Sequence, residues 1–123
     1  MKLTKNFDSS EFACKDGSAT PPEVLKNLKK VAQNLQVLRD FFGVPITVNS
    51  GYRSPAHNKA VGGAKKSQHL LGTAADIVVP GKRPVQVKAA IEKLIGEGKM
   101  HNGGIGLYNT FVHYDVRDNA ARW

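Results

Sequence analysis

Ser67-Gln68-His69-Leu70-Leu71-Gly72-Thr73-Ala74-Ala75-Asp76-Ile77-Val78-Val79 runs from a polar, aperiodic loop into a stretch of small and β-branched residues. Its second half reads as a strand, Ala74 to Val79. One carboxylate, Asp76, stands inside that apolar stretch, where burial is costly unless a cation or hydrogen-bond donors meet it. The strand therefore demands a partner for Asp76, and His69 lies in the loop immediately before it.

Working outward, Thr20-Pro21-Pro22-Glu23 combines an N-cap, a proline at the first helical position and a capping-box glutamate. Val24, Leu28, Val31, Leu35, Leu38 and Phe42 then recur every three or four residues, which predicts one long amphipathic helix closed by Gly43. Pro45 to Ser50 is rich in β-branched residues and reads as a short strand ending at Gly51, followed by a short helix from Ser54-Pro55 to about Ala60. Ala64 to Thr73 reads as loop. Downstream, Pro84 to about Ile95 is a second amphipathic helix, with Val87, Ala90, Ile91, Leu94 and Ile95 on its inner side. A glycine-rich connection leads to a hairpin of Ile105 to Tyr108 and Phe111 to Arg117 around Asn109-Thr110. The period of two along the last strand places Phe111, His113 and Asp115 on one face and Val112, Tyr114 and Val116 on the other. The expected fold is α+β: one small domain over residues 1–123, an antiparallel sheet flanked by helices.

The 123 residues suit a single core, and 41% apolar against 23% charged residues is the composition of a globular chain. Lys plus Arg is 18 against 10 Asp plus Glu, a net charge of +8 that favours anionic partners. Lys26, Lys29, Lys30 and Arg39 lie on the outer face of the first helix, so part of that charge is solvated helix surface. The basic residues are scattered and no aromatic residues interleave with them as stacking platforms, which argues against a nucleic-acid partner. No run approaches the roughly 18 apolar residues of a membrane span. The start MKLTKNFDSSEF lacks an apolar stretch behind Lys2 and Lys5, so synthesis in the cytoplasm without a signal peptide is expected. A single cysteine, Cys14, excludes an intramolecular disulfide and any multi-thiolate metal site. Any metal must therefore rest on histidine and carboxylate, while Cys14 itself reads as a partly buried thiol.

Four histidines are available. His69, Asp76 and His113 form a set of two imidazoles and one carboxylate that leaves a fourth zinc position open, the arrangement usual for catalytic rather than structural zinc. The same residues admit another reading, in which Asp76 pairs with an arginine and His113 is a satisfied core histidine. His57 is expected at the rim of the cleft, and His101 in a glycine-rich loop that either folds over the cleft or faces solvent.

Ser67 to Asp76 also fits the pattern S-x-H-x-x-G-x-A-x-D, Ser50-Gly51-Tyr52-Arg53-Ser54 fits S-G-Y-R-S, and Phe111-Val112-His113-Tyr114-Asp115 fits F-V-H-x-D. Together these motifs resemble the zinc D-alanyl-D-alanine carboxypeptidase family, which includes L-alanyl-D-glutamate phage endolysins and shares its fold with the hedgehog signalling domain. Gly62-Gly63, Gly104 to Tyr108 and Asn6 to Phe12 extend the likeness over nearly the whole chain. The resemblance implies Zn2+ held by His69, Asp76 and His113, and an Arg53 that receives a substrate carboxylate through its planar fork. It implies hydrolysis of an amide in the peptide stem of peptidoglycan, by a monomer that reaches the wall after lysis, injection or another export route. Tyr52, Ser67 and Gln68 are expected to bind substrate. A zinc-stabilised wall-binding module on the same fold is the alternative.

The chain departs from the family at the general base. Many members carry an acid three positions before the last ligand and a histidine two before it, where Thr110 and Phe111 stand here. Asp115 is the nearest carboxylate on that strand, and two roles are open to it: catalytic base, or acceptor that orients His113 or pairs with Arg117.

Overall fold

The computed structural model describes residues 1–123. Proline fixes the start of the first helix, α1 (Pro22–Phe42): Pro22 takes the first helical position, where its missing N–H costs nothing. The expected Thr20 cap is not formed, because Pro21 occupies the capping position and no side chain caps the helix. Gly43 ends it in the left-handed conformation at φ +69°, with its N–H on the Arg39 carbonyl. The stripe that defines α1 is the stripe it buries: Leu28, Val31, Leu35 and Leu38 are fully enclosed. Truncating any of these leucines to alanine would cost about 2–5 kcal/mol in lost transfer energy and residual cavity.

Strands β1 (Thr47–Ser50), β2 (Ala74–Val78), β3 (Gly104–Leu107), β4 (Val112–Asp115) and β5 (Ala121–Arg122) form one sheet in the order β1-β2-β4-β3-β5. Three pairings are antiparallel, as expected, but β5 runs parallel to β3 along the edge, so the sheet is mixed. A two-residue strand has no alternation to detect, which is why the sequence pattern did not reveal it. Helix α3 (Pro84–Gly96) lies with α1 against one face of the sheet, over Ala75, Ile77, Ile105, Val112 and Tyr114. No helix is long and apolar enough to cross a membrane.

The opposite face carries the polar side chains, and two local devices prepare it. The segment read as loop contains a 3-10 helix, Gln68–Leu71, capped by the Ser67 hydroxyl accepting from the His69 N–H and closed by Gly72 at φ +73°. At Gly72 a Cβ would meet Val24 Cγ1 at 2.5 Å, so glycine satisfies both the backbone conformation and the packing against α1. A second 3-10 helix, Ser9–Phe12, is held by an Asp8/Glu11 capping box and buries Phe12. Gly51 lies directly on it: its Cβ would stand 2.6 Å from the Phe12 backbone, and the Tyr52 N–H donates to the Phe12 carbonyl. The short helix α2 (Pro55–Ala60) follows, N-capped by Ser54.

Candidate metal centre

Strand register sets the site. Asp76 on β2 pairs with Ser50 on β1 and with His113 on β4, so these residues form a row across three strands. Ala74, Asp115 and Gly104 form the next row. His69 reaches the first row from the 3-10 helix ahead of β2. His69, Asp76 and His113 are all buried, at 3%, 7% and 7% exposure, and their ligand atoms converge within 4.8 Å of one another.

The hydrogen bonds around this cluster fix its protons. His69 Nδ1 lies 2.7 Å from the Gly51 carbonyl, an acceptor only, so Nδ1 carries the hydrogen and Nε2 turns its lone pair toward Asp76 Oδ1 at 3.2 Å. His113 Nε2 lies 2.6 Å from Asp115 Oδ2, and its Nδ1 faces the same Asp76 Oδ1 at 3.1 Å. Asp115 is ionised, with its carboxyl well below the usual range: burial opposes this, but hydrogen bonds from His113 and Arg117 prevail. His113 therefore donates from Nε2. Two imidazole lone pairs and a carboxylate oxygen thus meet with no donor among them, an arrangement stable only with a cation or added protons between them.

The electrostatics show the same demand. Burial raises the Asp76 carboxyl, yet hydrogen bonds from His113 and His69 hold it down at about 2. Burial lowers His113, but Asp115 and then Asp76 raise it above the ordinary imidazole value. The donor set also suits zinc, whose usual ligands are imidazole nitrogen and carboxylate oxygen, with each histidine oriented through its second nitrogen.

Asp115 is saturated. It is fully buried, receives the His113 N–H, the Gly104 N–H at 2.8 Å and two parallel hydrogen bonds from Arg117 Nε and Nη2 at 2.8 and 2.7 Å. Of the two roles open to it, base and orienting acceptor, these contacts match the second and leave no lone pair facing the cleft.

The cluster floors a cleft of about 660 Å³. Arg53, Lys66 and Arg117 bring positive charge to its lining, and Asp76 is the only carboxylate there. Arg53 is mostly buried, with Nη2 3.5 Å from Asp76 Oδ2, Nε 3.3 Å from Ser50 Oγ and Nη1 3.3 Å from Asn58 Oδ1. Ser67 and Gln68 line the cleft as expected, though the Ser67 hydroxyl also caps the 3-10 helix and Gln68 Oε1 accepts from Thr73 Oγ1. Tyr52 does not: at 7% exposure it belongs to the hydrophobic core, because adjacent residues in an extended segment point to opposite sides and Arg53 takes the cleft side. His57 is likewise absent from the cleft lining. His101 neither covers the cleft nor stands free in solvent; its Nε2 donates to the Arg117 carbonyl and its backbone N–H to Asn34.

The aromatic wall was not foreseen. Tyr108 and Phe111 stack at 4.5 Å, and Trp123 lies 4.9 Å from the His113 ring, with its Nε1–H donating to the Tyr108 hydroxyl. Arg117 sits over the Trp123 ring at 5.1 Å. Trp123 reaches this position through β5, whose brevity hid it; the chain's sole tryptophan next to a basic residue was the one available signal.

Comparison with known proteins agrees with this geometry. The chain is 52% identical over 44 residues to the zinc D-Ala-D-Ala carboxypeptidase of Streptomyces albus G, a match covering 35% of this chain and 17% of that protein. The L-Ala D-Glu endopeptidase ChiX of Serratia marcescens shares the fold, with a TM-score of 0.52 and 20% identity over 78% of this chain and 87% of that one. The sequence profile described as Peptidase M15 matches residues 5–115, nearly the whole chain, and the chain belongs to that peptidase family.

Proposed function

We propose that the chain is a zinc-dependent peptidase that hydrolyses an amide bond in the peptide stem of peptidoglycan. The observation that carries this reading is the convergence of three lone pairs, from His69 Nε2, His113 Nδ1 and Asp76 Oδ1, at the floor of an open cationic cleft. Zinc held by these residues would supply Lewis-acid polarisation of a carbonyl and a lowered pKa for attacking water. The similar proteins support the substrate class, one being named for D-Ala-D-Ala and the other for L-Ala D-Glu bonds.

The remaining residues bind and orient. Arg53 offers a planar fork to a stem carboxylate, and its contacts with Ser50 and Asn58 hold that fork in place beside the floor. Lys66 and Arg117 add positive potential that draws an anionic wall polymer into the cleft. Asp115 keeps His113 in the tautomer that turns Nδ1 to the metal position. Tyr108, Phe111 and Trp123 provide apolar area against which a peptide backbone can lie.

Zinc analysis combined with mass spectrometry of purified sacculus digests tests the reading. Wild type should hold zinc and release stem fragments, and His113→Ala should do neither. The fragments also name the bond: a lost terminal residue marks a carboxypeptidase, an internal cut an endopeptidase. A second reading, a zinc-stabilised wall-binding module, is favoured by one observation, that the cleft's sole carboxylate is itself a ligand candidate. Stoichiometric zinc and pelleting with sacculi, with no fragment released, would select that module.

A further inference from the structure

Away from the cleft, a second group of ligand-type side chains converges. Cys14 Sγ, a carboxylate oxygen of Asp16 and a ring nitrogen of His57 lie within 4.8 Å of one another. We propose that Cys14, Asp16 and His57 form a second divalent-metal site of the zinc class, separate from the histidine–aspartate floor.

Ser54 organises the three. Its backbone N–H points at Cys14 Sγ from 3.3 Å, its hydroxyl donates to Asp16 Oδ2 at 2.6 Å, and the same hydroxyl oxygen accepts from the His57 N–H at 3.1 Å. The Ser18 N–H holds Asp16 Oδ1 at 2.8 Å. Asp16 is kept well below the usual carboxylate range by Ser18, then Ser54, then Cys14, so it meets a cation already ionised. Cys14 is only 5% exposed and anchored, whereas Asp16 is exposed and His57 half-buried, so the mobile ligands can close on the fixed one. Tetrahedral zinc with sulfur and nitrogen at their usual bond lengths needs ligand separations of about 3.3–3.7 Å, roughly 1 Å tighter than the present upper limit. Side-chain rotation supplies that.

The histidines differ in a telling way. His69, His101 and His113 each place a ring nitrogen within hydrogen-bond distance of a protein acceptor, while His57 takes part only through its backbone N–H. Its imidazole is free to bind. The donor set of thiolate, imidazole and carboxylate suits zinc or cobalt and disfavours calcium and magnesium, which take oxygen ligands. Three protein ligands leave a fourth position for water.

A metal here would tie the turn after Ser9–Phe12 to the first turn of α2. That turn directly follows Arg53, so loading would brace the segment that carries the cleft's arginine.

Cobalt titration of the metal-stripped protein tests the site by a signal the floor cannot produce. His69, Asp76 and His113 contain no sulfur and Cys14 is the only cysteine, so a thiolate-to-cobalt charge-transfer band reports this site alone. The expected result is such a band in wild type, its absence in Cys14→Ser, and at least tenfold weaker cobalt binding in His57→Ala and Asp16→Asn. Neither of the latter two side chains is in the core, so loss of folding does not confuse them. No band at saturating cobalt, or equal affinity in wild type, His57→Ala and Asp16→Asn, overturns the proposal. An empty histidine–aspartate floor would leave this band intact, so failure of the peptidase reading is seen separately.

Discussion

The floor and the wall of the cleft are built by different rules. On the floor, Asp76, His113 and Asp115 sit on paired strands, each buried and each fixed by at least two partners. On the wall, Tyr108 and Trp123 are 42% and 46% exposed and hold their places through one hydrogen bond, ring stacking and a cation over an indole. Backbone register thus determines the metal geometry, while the substrate-facing surface is left to weaker contacts that can adjust. Substitutions in the two regions should separate accordingly, with metal affinity and stability moving on the floor and only KM moving on the wall.

The largest effect short of removing a ligand is expected at Asp115. Asp115→Ala leaves His113 without its orienting acceptor and strands Arg117 beside a buried void. Zinc affinity should fall about 10–100-fold by competition with a chelator, and unfolding free energy by about 3 kcal/mol in denaturant titration. Unchanged zinc affinity would show that the 2.6 Å contact between His113 and Asp115 does not set the imidazole, and the floor would lose its claim to over-determination.

Gly104→Ala tests the floor from beneath. A Cβ there would stand 2.4 Å from Asp115 Oδ2, and the carboxylate, pinned by Arg117 and His113, has little room to retreat. Overpacking of this kind costs about 1–3 kcal/mol. Zinc affinity should fall with it, though less than in Asp115→Ala, because the carboxylate is displaced rather than lost.

The floor was also the more legible region in the sequence, for the same physical reason. A carboxylate in an apolar strand and a histidine mid-strand are conspicuous because burial makes them costly, so Asp76 and His113 mark a site by residue type and position alone. Asp115 could be placed on the face of His113 by the period of two, but only the Arg117 and Gly104 contacts reveal that its oxygens are fully used. The wall left no such trace. Exposed aromatic residues break no rule of burial, Trp123 arrives through a two-residue strand without a pattern, and Tyr52 looked like a cleft residue only through its neighbour Arg53. The mixed sheet escaped notice through the same short β5.

Arg53 stands on the boundary and decides where it lies. It touches Asp76 at 3.5 Å like a floor residue, yet its fork opens on the cleft like a wall residue. Arg53→Lys keeps the charge and removes the bidentate geometry, so KM for a stem peptide should rise about tenfold with kcat little changed. Zinc content should stay at the wild-type value. A fall in zinc content would instead make Arg53 a structural partner of Asp76 and move the boundary outward by one residue.

The smallest expected effect is at Trp123, and it tests the division most finely because the indole lies 4.9 Å from the His113 ring. Trp123→Ala removes a hydrogen bond to Tyr108 and a cation–π contact with Arg117, the latter worth about 0.5–1 kcal/mol at an exposed site. KM should rise about two- to fivefold, the range to which that energy corresponds, with thermal midpoint and zinc affinity nearly unchanged. Gly106→Ala should act in the same direction, since a Cβ there would meet the indole at 2.5 Å and an exposed ring can swing away. His113 is held on its far side by Asp115 at 2.6 Å and needs nothing from the tryptophan to keep its orientation. A tenfold loss of zinc affinity in either variant would mean that the wall supports the floor, and the separation between adaptable surface and rigid metal geometry would fail at its closest point of contact.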